Sequence, residues 1–290
     1  MIKTSYIKKK VGEYYYDIND FLGHGTNSQV FKGYSVNSES LAIKQIPIPQ
    51  FPEKEKQKFD NFMNYLGREI EIMKKLSHDN ILKLIDCRCT SNNFYLITEF
   101  CNGGDLKSIK FDLIYEQILT ILKQIVNAMI YANSLKIMHR DLKPQNILIH
   151  NKVIKIGDLG YARIFVDGED DNLKMDLKIT PQIGTPLYMA PEVFYSGKYC
   201  DKCDGWSMGI ILYELLFKKH PWKEENVKMN EFQLFEKINM IPLDFPSKNN
   251  VDILMIDLIT RMLQKDEKKR MNWKEVADHE ILQQKIPDFL

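Results

Sequence analysis

The 290-residue sequence predicts an α+β chain of two lobes, a β-rich lobe first and an α-helical lobe second, with a cleft between them. Three observations lead to that reading. Short β-branched and aromatic runs, punctuated by glycine and proline, fill most of residues 15–100. Apolar positions at helical spacing dominate residues 101–290. The turn Asn102-Gly103-Gly104 stands where one pattern gives way to the other, inside what reads as one domain over 1–290.

The elements follow in order. Residues 14–22 read as a strand ending at Gly23, residues 29–34 as a second and residues 40–46 as a third, before Pro47, Pro49 and Pro52 break the chain. Phe59, Phe62, Met63, Leu66, Ile70 and Met73 form one helical stripe. Residues 81–86 and 94–98 read as further strands. Ile118, Ile121, Leu122, Ile125, Met129 and Ala132 mark a long amphipathic helix. Residues 147–149 and 153–156 suggest a hairpin, and residues 206–217, apolar nearly all round, a buried helix.

Composition narrows the function classes. Charged residues make up 27% of the chain and the formal net charge is +1, a balance that does not point to nucleic acid or an anionic membrane as partner. Lys8-Lys9-Lys10 reads as a solvated terminus. No apolar run is long enough to span a bilayer, and the first residues lack a signal-peptide core, so an intracellular, cytoplasmic protein is expected. The chain stops soon after the last expected helix, so no separate regulatory domain is expected; nothing in the sequence fixes an oligomeric state. Five cysteines do not form a secreted disulfide framework. Cys87 with Cys89 and Cys200 with Cys203 imitate a four-thiolate zinc site, but the pairs fall in different lobes and read as incidental thiols. The acidic stretch 167–171 reads as a mobile loop rather than a metal site.

Several segments carry chemistry. Gly23-His24-Gly25 lies between two strands, where glycines let backbone N–H groups approach phosphate. Lys44 ends an apolar strand and offers a cation to an anionic oxygen; Glu69, bordering the helical stripe, is placed to pair with it. In His139-Arg140-Asp141-Leu142-Lys143-Pro144-Gln145-Asn146, Asp141 can accept a hydroxyl proton. There Lys143 can neutralise a transferring phosphoryl group, and Asn146 offers an amide oxygen to a cation. Asp158-Leu159-Gly160 places another carboxylate at a hairpin's end, suited to magnesium.

In order and spacing these segments resemble the eukaryotic protein kinase family over about residues 15–286. Gly184-Thr185-Pro186 through Ala190-Pro191-Glu192 resembles the end of an activation segment. Asp204-Gly205-Trp206-Ser207-Met208-Gly209 resembles the start of the central buried helix, and Arg270 the arginine that pairs with Glu192. The resemblance implies the bilobal kinase fold, ATP and Mg2+ as cofactors, and protein substrates. Leu22, Gly23, Gly25, Val30 and Ala42 would cover the nucleotide, with Leu148 beneath the adenine. It also implies that Lys44, fixed by Glu69, holds the α- and β-phosphates, and that Thr98 is the gatekeeper. Glu99 and Cys101 would offer backbone groups to the adenine edge, and Asp105 would reach ribose or substrate. Asp141 would be the catalytic base assisted by Lys143, and Asn146 and Asp158 the metal ligands. Met73, Leu84, His139 and Leu159 would form the apolar stack that links the lobes.

Lys143 and Thr185 resemble the serine/threonine class. The hinge, Lys143-Pro144-Gln145-Asn146 and the segment before Glu192 resemble autophagy-initiating kinases, with much text shared by calcium/calmodulin-type kinases. Ser28 replaces the third glycine and Leu159 the usual phenylalanine, and the segment 158–192 is longer than in compact members. Arg140 before Asp141 implies switching by phosphate, with Thr180 as the regulatory phosphosite. A pseudokinase scaffold would lack Lys44, Asp141 or Asp158; all three are present. Gln145 disfavours a strict basic requirement in the substrate, although Glu214 and Asp105 remain available.

Overall fold

Alternating apolar and polar residues give six strands in the first lobe: β1 (Lys8–Val11), β2 (Tyr14–Gly25), β3 (Ser28–Tyr34), β4 (Ser40–Pro47), β5 (Leu84–Cys89) and β6 (Asn93–Glu99). In the computed structural model, which describes residues 8–25, 27–109, 112–165, 186–224, 227–246 and 251–285, they form one antiparallel sheet ordered β1-β2-β3-β4-β6-β5. Thr180, the acidic stretch 167–171, Gly184 and Thr185 lie outside the described residues.

Register sorts the sheet's side chains onto two faces. Phe31, Leu41, Ile43, Tyr95 and Ile97 share one face and, with Val11, Tyr14 and Tyr16, make a small core of their own. On the other face Val30 stands opposite Lys44, and Ala42 opposite Thr98. That face also carries Ile46, Phe94 and Leu96, which join the large core shared with helix α1 (Lys56–Lys75).

The buried residues of α1 are Leu66, Glu69, Ile72 and Met73. The predicted stripe is therefore corrected: Phe59 is exposed, Ile70 is half-buried, and Ile72 takes the inner place. The helix is turned so that Glu69 points inward, at 3% exposure, toward Lys44. Gly67 lies in the middle of this helix, and a Cβ there would meet nothing within 4 Å. Gly67→Ala is expected to raise the unfolding free energy by about 1 kcal/mol, because the chain then loses less backbone entropy on folding. Urea unfolding of both proteins measures it; an unchanged or lower midpoint would contradict the reading.

Two strand expectations shift. Lys8, Lys9 and Lys10 are solvated, but their backbone pairs with β2, so the terminus is an edge strand rather than a free tail. The strand expected over residues 81–86 begins at Leu84 and continues to Cys89. Its predicted start serves another purpose: Ile81 bridges Ile156, and Leu82 N donates to Ile156 O at 2.9 Å, tying the first lobe to the second.

The second lobe starts with α2 (Tyr115–Ser134), whose inner face from Ile118 to Ala132 is buried as expected. Four short strands follow: β7 (Ile137–Met138), β8 (Ile147–His150), β9 (Val153–Ile156) and β10 (Arg163–Ile164). β8 and β9 form the predicted hairpin, and β7 pairs with β10. Both ladders matter to function, since residues 139–146 run between β7 and β8, and Asp158 lies between β9 and β10. Helices α3 (Pro191–Ser196), α4 (Cys203–Phe217), α5 (Glu231–Met240), α6 (Ile253–Met262), α7 (Trp273–Ala277) and α8 (Glu280–Gln283) complete the lobe. α4 is buried continuously from Cys203 to Tyr213, and Trp206 stacks on Trp222 at 5.6 Å. Among the described residues no helix is long and apolar enough to cross a membrane.

His220, just past α4, holds the chain before α3. Its Nε2 donates to Leu187 O at 2.9 Å, while Nδ1 accepts from Trp222 N and Lys223 N, both at 3.1 Å. Protonating Nδ1 would cost both backbone bonds, and burial pushes the imidazole from 6.5 down to about 4. A depressed histidine makes the unfolded chain the better proton acceptor, so stability is complete above pH 6.5 and declines toward pH 4. Between pH 7.5 and 5.5 this residue should cost about 1.3 kcal/mol. His220→Gln should flatten that part of the urea-stability profile; an identical slope in both proteins would contradict the assignment.

Candidate active site

The segment 139–146 is fixed from below by a residue of α4. Asp204, at 2% exposure, accepts His139 N at 2.7 Å on Oδ2 and Arg140 N at 2.8 Å on Oδ1. These bonds hold Arg140 at φ +69, a left-handed conformation that a non-glycine residue keeps only when its surroundings enforce it. His139 Nε2 bonds Gly157 O at 2.9 Å, joining the loop to the residue before Asp158.

Asp141 lies on this scaffold. Lys143 Nζ donates to its Oδ2 at 2.7 Å and Asn146 Nδ2 to the same oxygen at 3.0 Å. Both side-chain donors found among the described residues fall on Oδ2, not on Oδ1. Burial raises the Asp141 pKa, only partly offset by Lys143, and so makes it a better proton acceptor than a solvated aspartate. Asn146 also gives Nδ2 to Asp141 O at 2.7 Å, so its amide oxygen is the atom that remains to bind a cation.

From the first lobe, Lys44 Nζ reaches Glu69 Oε1 at 3.1 Å and Asp158 Oδ1 at 2.9 Å. Asp158 adopts φ +54, and Leu159 behind it is buried in the core that includes Met73. Leu84 packs against that core, and His139 and Leu159 line one small cavity, which Met73 and Leu84 do not line. Gly160 explains why no larger residue follows Leu159: a Cβ there would lie 3.2 Å from Tyr65 Oη and 3.5 Å from Glu69 Oε2. Burial disfavours the Lys44 ammonium, but Asp158 and Glu69 outweigh it and lift its pKa above the ordinary lysine value. The same lysine holds the Asp158 carboxyl below the usual range. Lys44 and Asp158 therefore stay charged at neutral pH.

The remaining predicted residues surround this cluster. Gly23 pairs with Val30 across the β2–β3 turn, and a Cβ at Gly25 would collide with Ser28 Oγ. Ser28 Oγ is buried and has no partner among the described residues, a free donor beside the glycine turn. Leu22 is 47% exposed at the end of β2. Thr98 is buried beside Ala42, its partner across the β4–β6 ladder. The Glu99 carboxylate is occupied by Lys83 N at 2.8 Å and Lys155 at 3.0 Å. Cys101 follows it, its thiol pushed up to about 12 by burial and by Glu99. Asp105 bridges Leu148 through the backbone, with Oδ1 accepting Ser108 N at 2.8 Å. The Leu148 side chain sits beside Gly157, just before Asp158.

A family model described as the protein kinase domain matches residues 16–282. The chain belongs to that family. This kinase domain is 35% identical to the serine/threonine-protein kinase atg1 of Dictyostelium discoideum, over 94% of this chain and 40% of that protein. It is 34% identical to the human serine/threonine-protein kinase ULK1, over 94% of this chain and 26% of that protein. It is also 34% identical to the serine/threonine-protein kinase unc-51 of Caenorhabditis elegans, over 92% of this chain and 31% of that protein. The chain thus spans less than half the length of these curated relatives.

The kinase domain's expected Glu192–Arg270 pair forms bidentately, at 2.6 and 2.8 Å, with the guanidinium 5.1 Å over the Trp206 ring. Glu214, left available to a basic substrate by the sequence, accepts Tyr188 Oη at 2.7 Å, and burial raises its pKa. Asp204 has no role legible in the sequence beyond opening the buried helix. Its signal was a carboxylate opening an otherwise apolar helix, a position where burial requires partners.

Proposed function

We propose that this chain is an ATP- and magnesium-dependent protein kinase that transfers the γ-phosphoryl group to serine or threonine hydroxyls of protein substrates. The observation that carries the proposal is the convergence of Lys44, paired with Glu69, on Asp158, next to the Asp141–Lys143–Asn146 cluster. Lys44 would hold the α- and β-phosphates, and its pairing with Glu69 fixes the ammonium where they arrive. Gly23, Gly25 and the orphaned Ser28 Oγ suit phosphate oxygens under the glycine turn. Leu22, Val30, Ala42 and Leu148 would enclose the adenine, with Thr98 behind it and the backbone of Glu99 and Cys101 at its edge. Asp105 would meet the ribose or the substrate.

Asp141 would take the hydroxyl proton on Oδ1, and Lys143 would turn from Oδ2 to the transferring phosphoryl group. The Asn146 amide oxygen and the Asp158 carboxylate are hard oxygen donors, a set that fits magnesium. Magnesium, when bound, supplies neutralisation of the phosphate charge. Serine and threonine as acceptors follow from the names of the relatives and from Lys143.

Labelled ATP, magnesium and a mixed peptide substrate test the proposal. Phosphoserine or phosphothreonine should appear with the wild type and not with Asp141→Asn. Phosphotyrosine alone, or no transfer despite nucleotide binding, would overturn it.

A further inference from the structure

The pair Cys200 and Cys203 has no part in the phosphotransfer reading, yet the fold brings it together. The Sγ atoms lie 3.5 Å apart. Cys203 N donates to Cys200 O at 3.1 Å, closing a turn that holds the two Cα atoms within the roughly 7 Å limit of such turns, around the range a disulfide spans. Cys200 is half-buried, whereas Cys203 is buried at the first turn of α4, so Cys200 is the thiol a small reagent would meet first. Cys203 Sγ lies 3.2 Å and Cys200 Sγ 3.7 Å from Glu192 Oε1, and Cys200 N donates to Cys203 Sγ at 3.1 Å.

The three ligand atoms also lie close enough for a metal ion. Arg270 argues against one. It engages both Glu192 oxygens and places a fixed cation beside the site, leaving two thiols where structural zinc takes four ligands.

We infer that Cys200 and Cys203 are a modification site that closes to a reversible disulfide by exchange with a low-molecular-weight disulfide such as glutathione disulfide. The Cys200 thiolate attacks one sulfur of the reagent, whose S–S bond breaks and releases one thiolate. Cys203, losing its proton, then attacks Cys200 Sγ and releases the second. Two protein thiols are oxidised and one disulfide is reduced to two thiols. The pKa directions agree with that order: the hydrogen bond to Cys203 lowers Cys200, and the same contact raises Cys203. Closure removes both thiol donors from Glu192 Oε1 and leaves that oxygen to Arg270.

The test equilibrates the reduced chain with a graded series of reduced to oxidised glutathione, blocks free thiols by alkylation and maps them by mass spectrometry. It needs no phosphotransfer, so its failure would leave the kinase reading intact. The expected result is simultaneous loss of both thiols, with the peptide lighter by two hydrogens, at ratios where Cys101 still alkylates. Cys203→Ser should trap glutathione on Cys200, and Cys200→Ser should leave Cys203 reduced. The wild-type map decides the matter even if a variant does not fold. Both thiols alkylating throughout, glutathione remaining on wild-type Cys200, or one zinc per chain that blocks oxidation would each overturn the inference.

Discussion

Asp141→Asn is expected to lower kcat by a factor of about 10²–10⁴ while Mg–ATP affinity stays near that of the wild type. The amide is isosteric, and Oδ2 of the native residue is engaged by Lys143 and Asn146, so the loop keeps most of its contacts. What it loses is a carboxylate whose pKa burial has raised. Single-turnover transfer of labelled phosphate, with nucleotide binding measured alongside, separates the two quantities. A kcat within a few-fold of wild type would remove Asp141 from the role of base. A parallel collapse of nucleotide affinity would make it a binding residue instead.

The second large effect is on stability. Arg270→Leu should cost about 3–5 kcal/mol, because it leaves the largely desolvated Glu192 carboxylate, at 12% exposure, without its cation. The Arg270 side chain is fully buried, and the Glu192 carboxyl is held below its usual range by the guanidinium against the opposing effect of burial. Arg270→Lys should recover only part of the loss, since an ammonium cannot make the parallel pair of bonds at 2.6 and 2.8 Å. Glu192→Leu with Arg270→Leu should lie well above the single arginine variant, as both charges leave together. Denaturant unfolding of the four proteins measures this. A cost below about 1 kcal/mol for Arg270→Leu would mean that water reaches the carboxylate and the pair is not desolvated.

Residues with strong local chemistry were legible in the sequence. Asp141, Lys143 and Asn146 lie on one short connection, where their side chains touch, and Asp158, beyond the β8–β9 hairpin, meets Lys44. Lys44 and Glu69 were legible as a pair, but the helix face was not. The apolar periodicity of α1 points to Ile70, whereas the inward turn of Glu69 selects Ile72, a choice made by tertiary charge pairing rather than by periodicity. Strands β7 and β10 are two residues each, too short to leave a pattern, and they depend on their pairing to each other. Lys8–Val11 carries a charge run that looks solvated because Lys8, Lys9 and Lys10 are exposed on both faces of an edge strand. Asp204 was visible as a motif member but not as the support of residues 139–140, since nothing local says where its carboxylate points.

The central claim is that side chains from both lobes meet one Mg–ATP. A double-mutant cycle on Lys44 and Asp158, read as Mg–ATP affinity by calorimetry for wild type, Lys44→Ala, Asp158→Ala and the double variant, tests it most directly. The predicted result is weaker binding in each single variant and a double variant non-additive by about 0.5–3 kcal/mol, because the two groups share a 2.9 Å contact and one ligand. Additivity of the two losses, or no Mg–ATP binding by the wild type, would contradict it.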